Sequence, residues 1–180
     1  FSDGTVLSWE DVIHHLDATA GTAGDDVIYG FSYADTLAGG KGDDFLSGGN
    51  GSDTYIFARG DGHDTIRDNL TAVLAPDNDA VIFSDIAYSE VTFSRIGNSN
   101  DLNILINGSN DVLTIQDEFG VSNFNVTQDR IEEFHFSDGT VVNWEDVIRT
   151  LDALALAGAD DVIYGFSYDD TYVYNRGDTH

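Results

Sequence analysis

Cysteine and methionine are absent from this sequence, and proline occurs once among its 180 residues. Without cysteine, neither disulfides nor thiolate metal ligands stabilise the fold. Basic residues are scarce, because 7 Lys and Arg stand against 33 Asp and Glu, for a formal net charge of −26. This deficit argues against nucleic acid and anionic membrane surfaces as partners, since both are bound through clustered Lys and Arg. No apolar run approaches the length of a membrane span, so we expect no membrane insertion by this segment.

The remaining composition is that of a folded protein. Hydrophobic residues make up 41% of the chain and aromatic residues 12%, which is enough for a packed core. The acidic excess opposes a compact state through self-repulsion unless counter-charge is supplied. Cations are therefore the expected partners.

A long repeat divides the chain. FSDGTVLSWEDVIHHLDA starts at Phe1 and recurs, with few changes, from Phe136, and DDVIYGFSY occurs at both Asp25 and Asp160. Both pairs lie 135 positions apart (136 − 1 and 160 − 25). We expect a tandem array, cut from the interior of a longer protein. Head-to-tail contact between adjacent repeats is one candidate interaction of such an array.

A short repeat of nine residues lies inside the long one. In register it reads GTAGDDVIY from Gly21, GFSYADTLA from Gly30, GGKGDDFLS from Gly39 and GGNGSDTYI from Gly48. The sixth position is always Asp, and the eighth is always apolar: Ile28, Leu37, Leu46 and Tyr55. Such units predict a tight glycine-rich turn followed by a short strand with one inward side chain.

Two nonapeptides complete one winding, so equivalent turns lie 18 residues apart and stack at the spacing of neighbouring strands, about 4.8 Å. Asp26 then faces Asp44, and Asp35 faces Asp53, with each pair bracketing an ion. Carboxylate and carbonyl oxygens in that number favour Ca²⁺ over the smaller octahedral cage of Mg²⁺. The alternative, that Gly and Asp only mark solvated turns, is disfavoured by four units in register.

The candidate calcium ligands combine the paired carboxylates with turn residues that offer carbonyl oxygens: Asp26, Asp44, Asp35, Asp53, Gly21, Ala23, Asp25, Gly39, Gly40, Gly42, Asp43, Gly48, Gly49 and Gly51. Asp61 and Asp64, in the following loop, are predicted to close a final site beside Asp44. Phe31 and Tyr33 replace expected glycines, which predicts a distorted second turn.

The nonapeptide resembles the calcium-binding repeat of the RTX (repeats-in-toxin, haemolysin-type) family over residues 21–57. A degraded copy follows at 157–174, where the missing glycines put calcium binding by Asp161 in question. The run GDGHDTIRD, then alternating strands and F-x-DGT-x-x-x-W, resembles the haemolysin-calcium-binding-related segment that follows such rolls. That resemblance implies a folding cap on the last strand of the roll.

Residues 58–136 alternate apolar and polar positions in short runs separated by turn residues, which predicts an antiparallel sheet. The predicted strands are 80–84, 91–95, 102–106, 112–115 and 131–136. A tight turn at Asp138-Gly139 and a helix capped by Asn143 follow, with Trp144, Val147, Ile148 and Leu151 on one helix face.

These observations predict an all-β fold in tandem repeat: a parallel β-roll followed by an antiparallel β cap with a short helix. The predicted segments are a hairpin and helix at 1–20, the calcium-binding roll at 21–57, the cap at 58–152 and a degenerate second roll at 153–180. The predicted function is a calcium-binding structural module, folding on exposure to extracellular calcium. The resemblance implies a secreted, extracellular protein and bacterial type I secretion.

An alternative is an adhesive or glycan-binding accessory module of a cell-surface adhesin or a polysaccharide-modifying enzyme. Its only aromatic platform would be Tyr29, Phe31 and Tyr33. We expect no catalysis in this chain, because no nucleophile motif or phosphate loop occurs and the carboxylates belong to the repeats. The Arg59-Gly60-Asp61 tripeptide, which has the form of an integrin ligand, is interpreted as a turn leaving the roll.

Overall fold

The computed structural model describes residues 18–68, 78–96, 99–119 and 130–155. Within these ranges the chain forms twelve β-strands, one short 3-10 helix and one α-helix, so the fold is mostly β. None of the helices described there is long and apolar enough to cross a membrane. The predicted hairpin and helix at the start of the chain lie outside the described residues except for 18–20, as does the second roll beyond residue 155.

Each nonapeptide forms the three- or four-residue strand that its pattern predicts. After a first strand β1 (Ala18–Ala20), the four units give β2 (Val27–Tyr29), β3 (Thr36–Ala38), β4 (Phe45–Ser47) and β5 (Thr54–Phe57). Their eighth positions point inward and are buried, as predicted: Ile28, Leu37, Leu46 and Tyr55.

Successive strands alternate between two sheets, which is the geometry of a β-roll. β1, β3 and β5 pair in parallel in the first sheet, and β2 and β4 pair in parallel in the second. The pairing joins residues 18 apart, such as Leu37 with Tyr55 and Ile28 with Leu46. One winding is therefore 18 residues long, as the nonapeptide spacing predicts.

The parallel pairing continues beyond Phe57, which differs from the predicted antiparallel sheet. β6 (His63–Ile66) pairs in parallel with β4, and β7 (Ala80–Phe83) pairs in parallel with β5. The nonapeptide spacing does not predict this winding, because the equivalent aspartates follow after 20 and 26 residues instead of 18, although Ile66 and Val81 still fill the inward positions.

The cap adds antiparallel strands to both sheets. In the second sheet, β10 (Val112–Ile115) continues the parallel array on β6, and β9 (Leu102–Ile106) and β8 (Val91–Ser94) follow in antiparallel order. In the first sheet, β11 (Glu133–His135) pairs in parallel with β7 and in antiparallel fashion with β12 (Val141–Asn143). The strand positions match the prediction closely, and the sheets are mixed.

The hairpin and helix after β11 form as predicted. Gly139 takes a positive φ of 83° in the β11–β12 turn. Helix α1 (Trp144–Ala155) begins after Asn143, whose side-chain oxygen accepts a hydrogen bond from the Asp146 N–H at 3.0 Å. Trp144 and Val147 are buried against the strands, where the Arg130 guanidinium lies 3.7 Å from the centre of the Trp144 ring. The helix therefore docks onto the cap.

The cap strand β9 offers a direct test of register. Leu102 is fully buried and Leu105, on the opposite face of the strand, is 40% exposed. We expect Leu102→Ala to lower the free energy of unfolding in calcium by about 2–5 kcal/mol, because it opens a core cavity. Leu105→Ala is the matched control and should cost well under half as much in the same denaturant titration. Equal losses would contradict the register.

Candidate calcium-binding site

Two columns of carboxylates run along the roll, one on each side. In the first column the Asp26 N–H donates to Asp44 Oδ1 at 2.7 Å, and the Asp44 N–H donates to Asp64 Oδ1 at 3.1 Å. Asp26 and Asp44 directly precede β2 and β4, and Asp64 lies in β6 at the equivalent register position, so the parallel pairing superposes the three residues. The backbone amide of one aspartate thus fixes the carboxylate of the equivalent aspartate in the next winding. Each such aspartate is one rung of its column.

The second column has the same construction and is longer. The Asp35 N–H donates to Asp53 Oδ1 at 2.7 Å, and the Asp53 N–H donates to Asp79 Oδ1 at 2.6 Å. The Asp79 N–H then donates to Glu132 Oε2 at 2.8 Å. This column therefore passes from the nonapeptides through β7 into the cap strand β11.

The glycines let the turns between rungs approach closely. Gly42 has a φ of 134°, and a Cβ placed there would lie 2.7 Å from the Gly24 carbonyl carbon one winding below. A Cβ on Gly40 would lie 2.6 Å from the Thr22 carbonyl oxygen. Only glycine fits such positions, and the close approach brings peptide oxygens of neighbouring turns beside the carboxylate columns.

Several column oxygens are buried and carry no hydrogen bond. Asp44 Oδ2 and Asp64 Oδ2 are inaccessible to solvent and have no hydrogen-bond partner within the described part of the chain. Burial, together with the nearby carboxylates of Asp44, Asp61 and Asp43, raises the pKa of Asp64 to about 7. A divalent cation fits these residues, because it would coordinate the bare oxygens and neutralise the repulsion between stacked carboxylates.

Other predicted residues lie around the columns. The exposed Asp25 and Asp43 form an outer ladder, in which the Asp43 N–H donates to Asp25 Oδ1 and the His63 N–H donates to Asp43 Oδ1, both at 3.0 Å. In the next turn, Asp61 contributes its backbone carbonyl, which accepts from the Gly42 N–H at 2.8 Å. Ala23 is exposed on its turn.

The structure brings together the pairs that the spacing predicts, Asp26 with Asp44 and Asp35 with Asp53, and it places Asp64 beside Asp44. The second turn keeps the same rung geometry despite Phe31 and Tyr33, whose side chains are exposed and leave the turn backbone free to stack. The turn backbone nevertheless differs from that of the third unit, because neither Phe31 nor Tyr33 takes the positive φ of the equivalent Gly40 and Gly42.

The remaining glycines of the predicted set also lie in the stacked turns. The Gly21 N–H donates to the Ala38 carbonyl at 2.7 Å, and the Gly48 N–H donates to the Tyr55 hydroxyl at 2.7 Å. Positive φ angles mark the turn glycines that precede the rung aspartates in the third and fourth units: Gly40, Gly42, Gly49 and Gly51. Gly39 is buried, with no room for a Cβ beside the Asp44 carboxylate.

The Arg59-Gly60-Asp61 tripeptide is a turn within the roll. The Arg59 guanidinium donates to Glu90 Oε1 at 3.0 Å, and Asp61 Oδ2 accepts from the Ala58 N–H at 2.7 Å. Both charged groups of the tripeptide are thus engaged in the structure.

Sequence reasoning missed Asp79 and Glu132, which continue the second column. Neither obeys the 18-residue spacing, because other segments separate them from Asp53. A signal was nevertheless present: an acid stands two residues before an inward apolar side chain in Asp79-Ala80-Val81 and Glu132-Glu133-Phe134, as it does in the nonapeptides. Register confirms the equivalence, since Tyr55 pairs with Val81 and Val81 pairs with Phe134.

Comparison with family models agrees with this geometry. Residues 20–32 and 29–66 match the RTX calcium-binding nonapeptide repeat (4 copies). The chain carries RTX calcium-binding repeats. Residues 101–146 match the haemolysin-type calcium binding protein related domain, which covers β9 to the start of α1. No significant match was found among curated proteins.

Two buried carboxylates, one in a column and one in the cap, make the stability of the calcium-free fold depend on pH. Burial raises the pKa of Asp64, in the first column, to about 7, and burial in the cap, outside the columns, raises that of Glu118 to about 8. The calcium-free folded chain therefore holds protons that the unfolded chain releases near pH 4. Its free energy of unfolding should fall as pH rises from about 4 to 8.

We expect circular dichroism in calcium-free buffer to show more β structure at pH 5.5 than at pH 8. Saturating calcium should remove the part of this dependence that comes from Asp64, because the cation displaces its proton, and should leave the part that comes from Glu118. The Asp64→Asn variant lacks the titrating carboxyl of the column, so its β signal should change less with pH. A β signal that grows with pH in the absence of calcium would contradict the assignment.

Proposed function

We propose that this chain is a calcium-dependent structural module of a secreted protein, which folds when it meets extracellular calcium. The observation that carries the proposal is the pair of buried carboxylate columns, in which Asp44 and Asp64 each keep a bare, solvent-inaccessible oxygen. Each column is held in place by backbone N–H groups of the neighbouring winding, so its geometry exists only when the windings stack.

Calcium binding and folding are coupled by this arrangement. An unfolded chain keeps its acidic side chains apart and solvated, whereas the roll brings them into contact range. Ions that bind the stacked turns and not the unfolded chain add their binding free energy to folding. At a net charge of −26 the neutralising effect is large, and the chain is expected to remain unfolded at cytoplasmic calcium levels.

Secretion and a non-catalytic role belong to the same proposal. A chain that stays unfolded until it reaches millimolar calcium suits export in the unfolded state, as by type I secretion in bacteria. The described carboxylates of the columns are engaged as rungs, which favours a structural role over acid–base catalysis. Any effector function would then lie in other parts of the protein to which this module is attached.

The proposal predicts folding driven by calcium. Circular dichroism with chelator at pH 7.5 should show little β structure, and calcium on the order of 1 mM should restore a β spectrum. Asp44→Asn removes a buried carboxylate with neighbours above and below, and should raise the calcium concentration at half-maximal folding by about tenfold.

Asp43→Asn is the matched control, because it removes one charge from the same turn at an exposed position. It should shift the midpoint much less. Identical spectra with chelator and with calcium would contradict the proposal, as would equal shifts for the two variants.

A second candidate function, adhesion or glycan binding, is favoured by one surface. Tyr29, Phe31 and Tyr33 are 65%, 48% and 49% exposed, and the ring of Tyr29 lies 6.0 Å from that of Phe45. Exposed aromatic faces of this kind stack on sugars or on apolar partners. Binding to a glycan array in calcium, lost when Phe31 and Tyr33 are replaced by Ala, would support this function, and a blank array would oppose it.

A further inference from the structure

A third carboxylate joins the second column where the nonapeptides end. Asp53, Asp68 and Asp79 are 1%, 0% and 1% exposed, and one carboxylate oxygen of each lies within 4.8 Å of those of the other two. Asp53 and Asp79 are successive rungs of the column. Asp68 is not a rung of this column, because it follows β6, which belongs to the other sheet.

Hydrogen bonds hold Asp68 in a fixed orientation. Asp68 Oδ1 accepts from the Gly49 N–H at 2.9 Å and from the Tyr55 hydroxyl at 2.8 Å. The Tyr55 hydroxyl in turn accepts from the Gly48 N–H at 2.7 Å. Tyr55 is a buried inward residue of the fourth nonapeptide, so the repeat itself positions Asp68.

The second oxygen of Asp68 points to a ligand. Asp68 Oδ2 is buried and makes no hydrogen bond to any residue that the structure describes. A buried carboxylate with one such oxygen, beside two more buried carboxylates, is strongly unfavourable unless a cation compensates its charge. Three carboxylates at this separation match the hard oxygen ligands that Ca²⁺ takes in proteins.

We infer that Asp53, Asp68 and Asp79 bind a calcium-type divalent cation at a site between the last nonapeptide and the following winding. The inference rests on the proposed calcium loading of the roll and extends it to residues beyond the repeats. Asp68 and Asp79 lie between the two stretches that match family models, which end at residue 66 and resume at 101.

The position of this site gives it a defined role. Its ligands flank residues 69–77, and Asp79 is hydrogen-bonded to Glu132 at the entrance to β11. The Glu132 and Glu133 N–H groups both donate to the Asp79 carbonyl, at 3.0 and 3.2 Å. An ion at Asp53, Asp68 and Asp79 therefore joins the last turn of the nonapeptide roll to the strand on which the cap is built.

The test is calcium stoichiometry in the folded chain, measured by equilibrium dialysis at saturating calcium. Asp68→Asn keeps the size of the side chain and its hydrogen-bond acceptor but loses the charge, and it should bind about one ion fewer than the natural chain. Asp117→Asn is the control, because its carboxylate is half exposed and lies 4.0 Å from Arg67 outside the cluster. It should leave the ion count unchanged.

Terbium luminescence supplies a second readout, because a tyrosine beside a bound Tb³⁺ sensitises its emission. Tyr55→Phe keeps all three carboxylates, so it should retain the ion count while losing part of the tyrosine-excited emission. An unchanged ion count in Asp68→Asn, loss of every ion in that variant, or unchanged emission in Tyr55→Phe would each overturn this site. A natural chain that binds no calcium would instead overturn the proposed function.

Discussion

The hydrogen bond from one aspartate's backbone N–H to the carboxylate of the next winding is the interaction on which this structure depends. It recurs from Asp26 to Asp44 and from Asp35 to Asp53 at 2.7 Å in both cases. The bond fixes each carboxylate, but it also stacks like charges at the separation of neighbouring strands. Stacking like charges in a partly dry environment is unfavourable without counter-charge. The fold and the cation requirement are therefore consequences of the same arrangement.

The apolar interior and the cap complete this arrangement. Each three-residue strand of the roll buries little more than one inward side chain, which gives only a thin core. Burying the end of the roll under a larger apolar layer therefore stabilises the fold. The cap supplies that layer with aromatic residues, including Phe136, which stacks on Phe83 of β7 with ring centres 4.8 Å apart. It also covers the open strand edges of β6 and β7, which would otherwise be free to pair with other chains.

Local periodicity was sufficient to predict the first part of the site. The constant spacing of Asp26, Asp35, Asp44 and Asp53 sets the register, because each winding is made of two identical units. The strands of the cap and the Asn143 helix cap were also predictable from local pattern. The path of the second column beyond Asp53 was not, because its next members follow at irregular separations of 26 and 53 residues. Only the pairing of β7 with β5 and with β11 brings Asp79 beside Asp53 and Glu132 beside Asp79.

The central claim is that cations occupy the space between stacked carboxylates. The most direct measurement is a crystal structure grown in calcium, with an anomalous difference map calculated at a wavelength where calcium scatters. The account predicts peaks about 2.3–2.6 Å from the carboxylate oxygens of Asp44 and Asp64, and between the facing carboxylates of Asp35 and Asp53. Stacked turns whose columns show no anomalous peaks, with calcium only at exposed acidic residues, would contradict it.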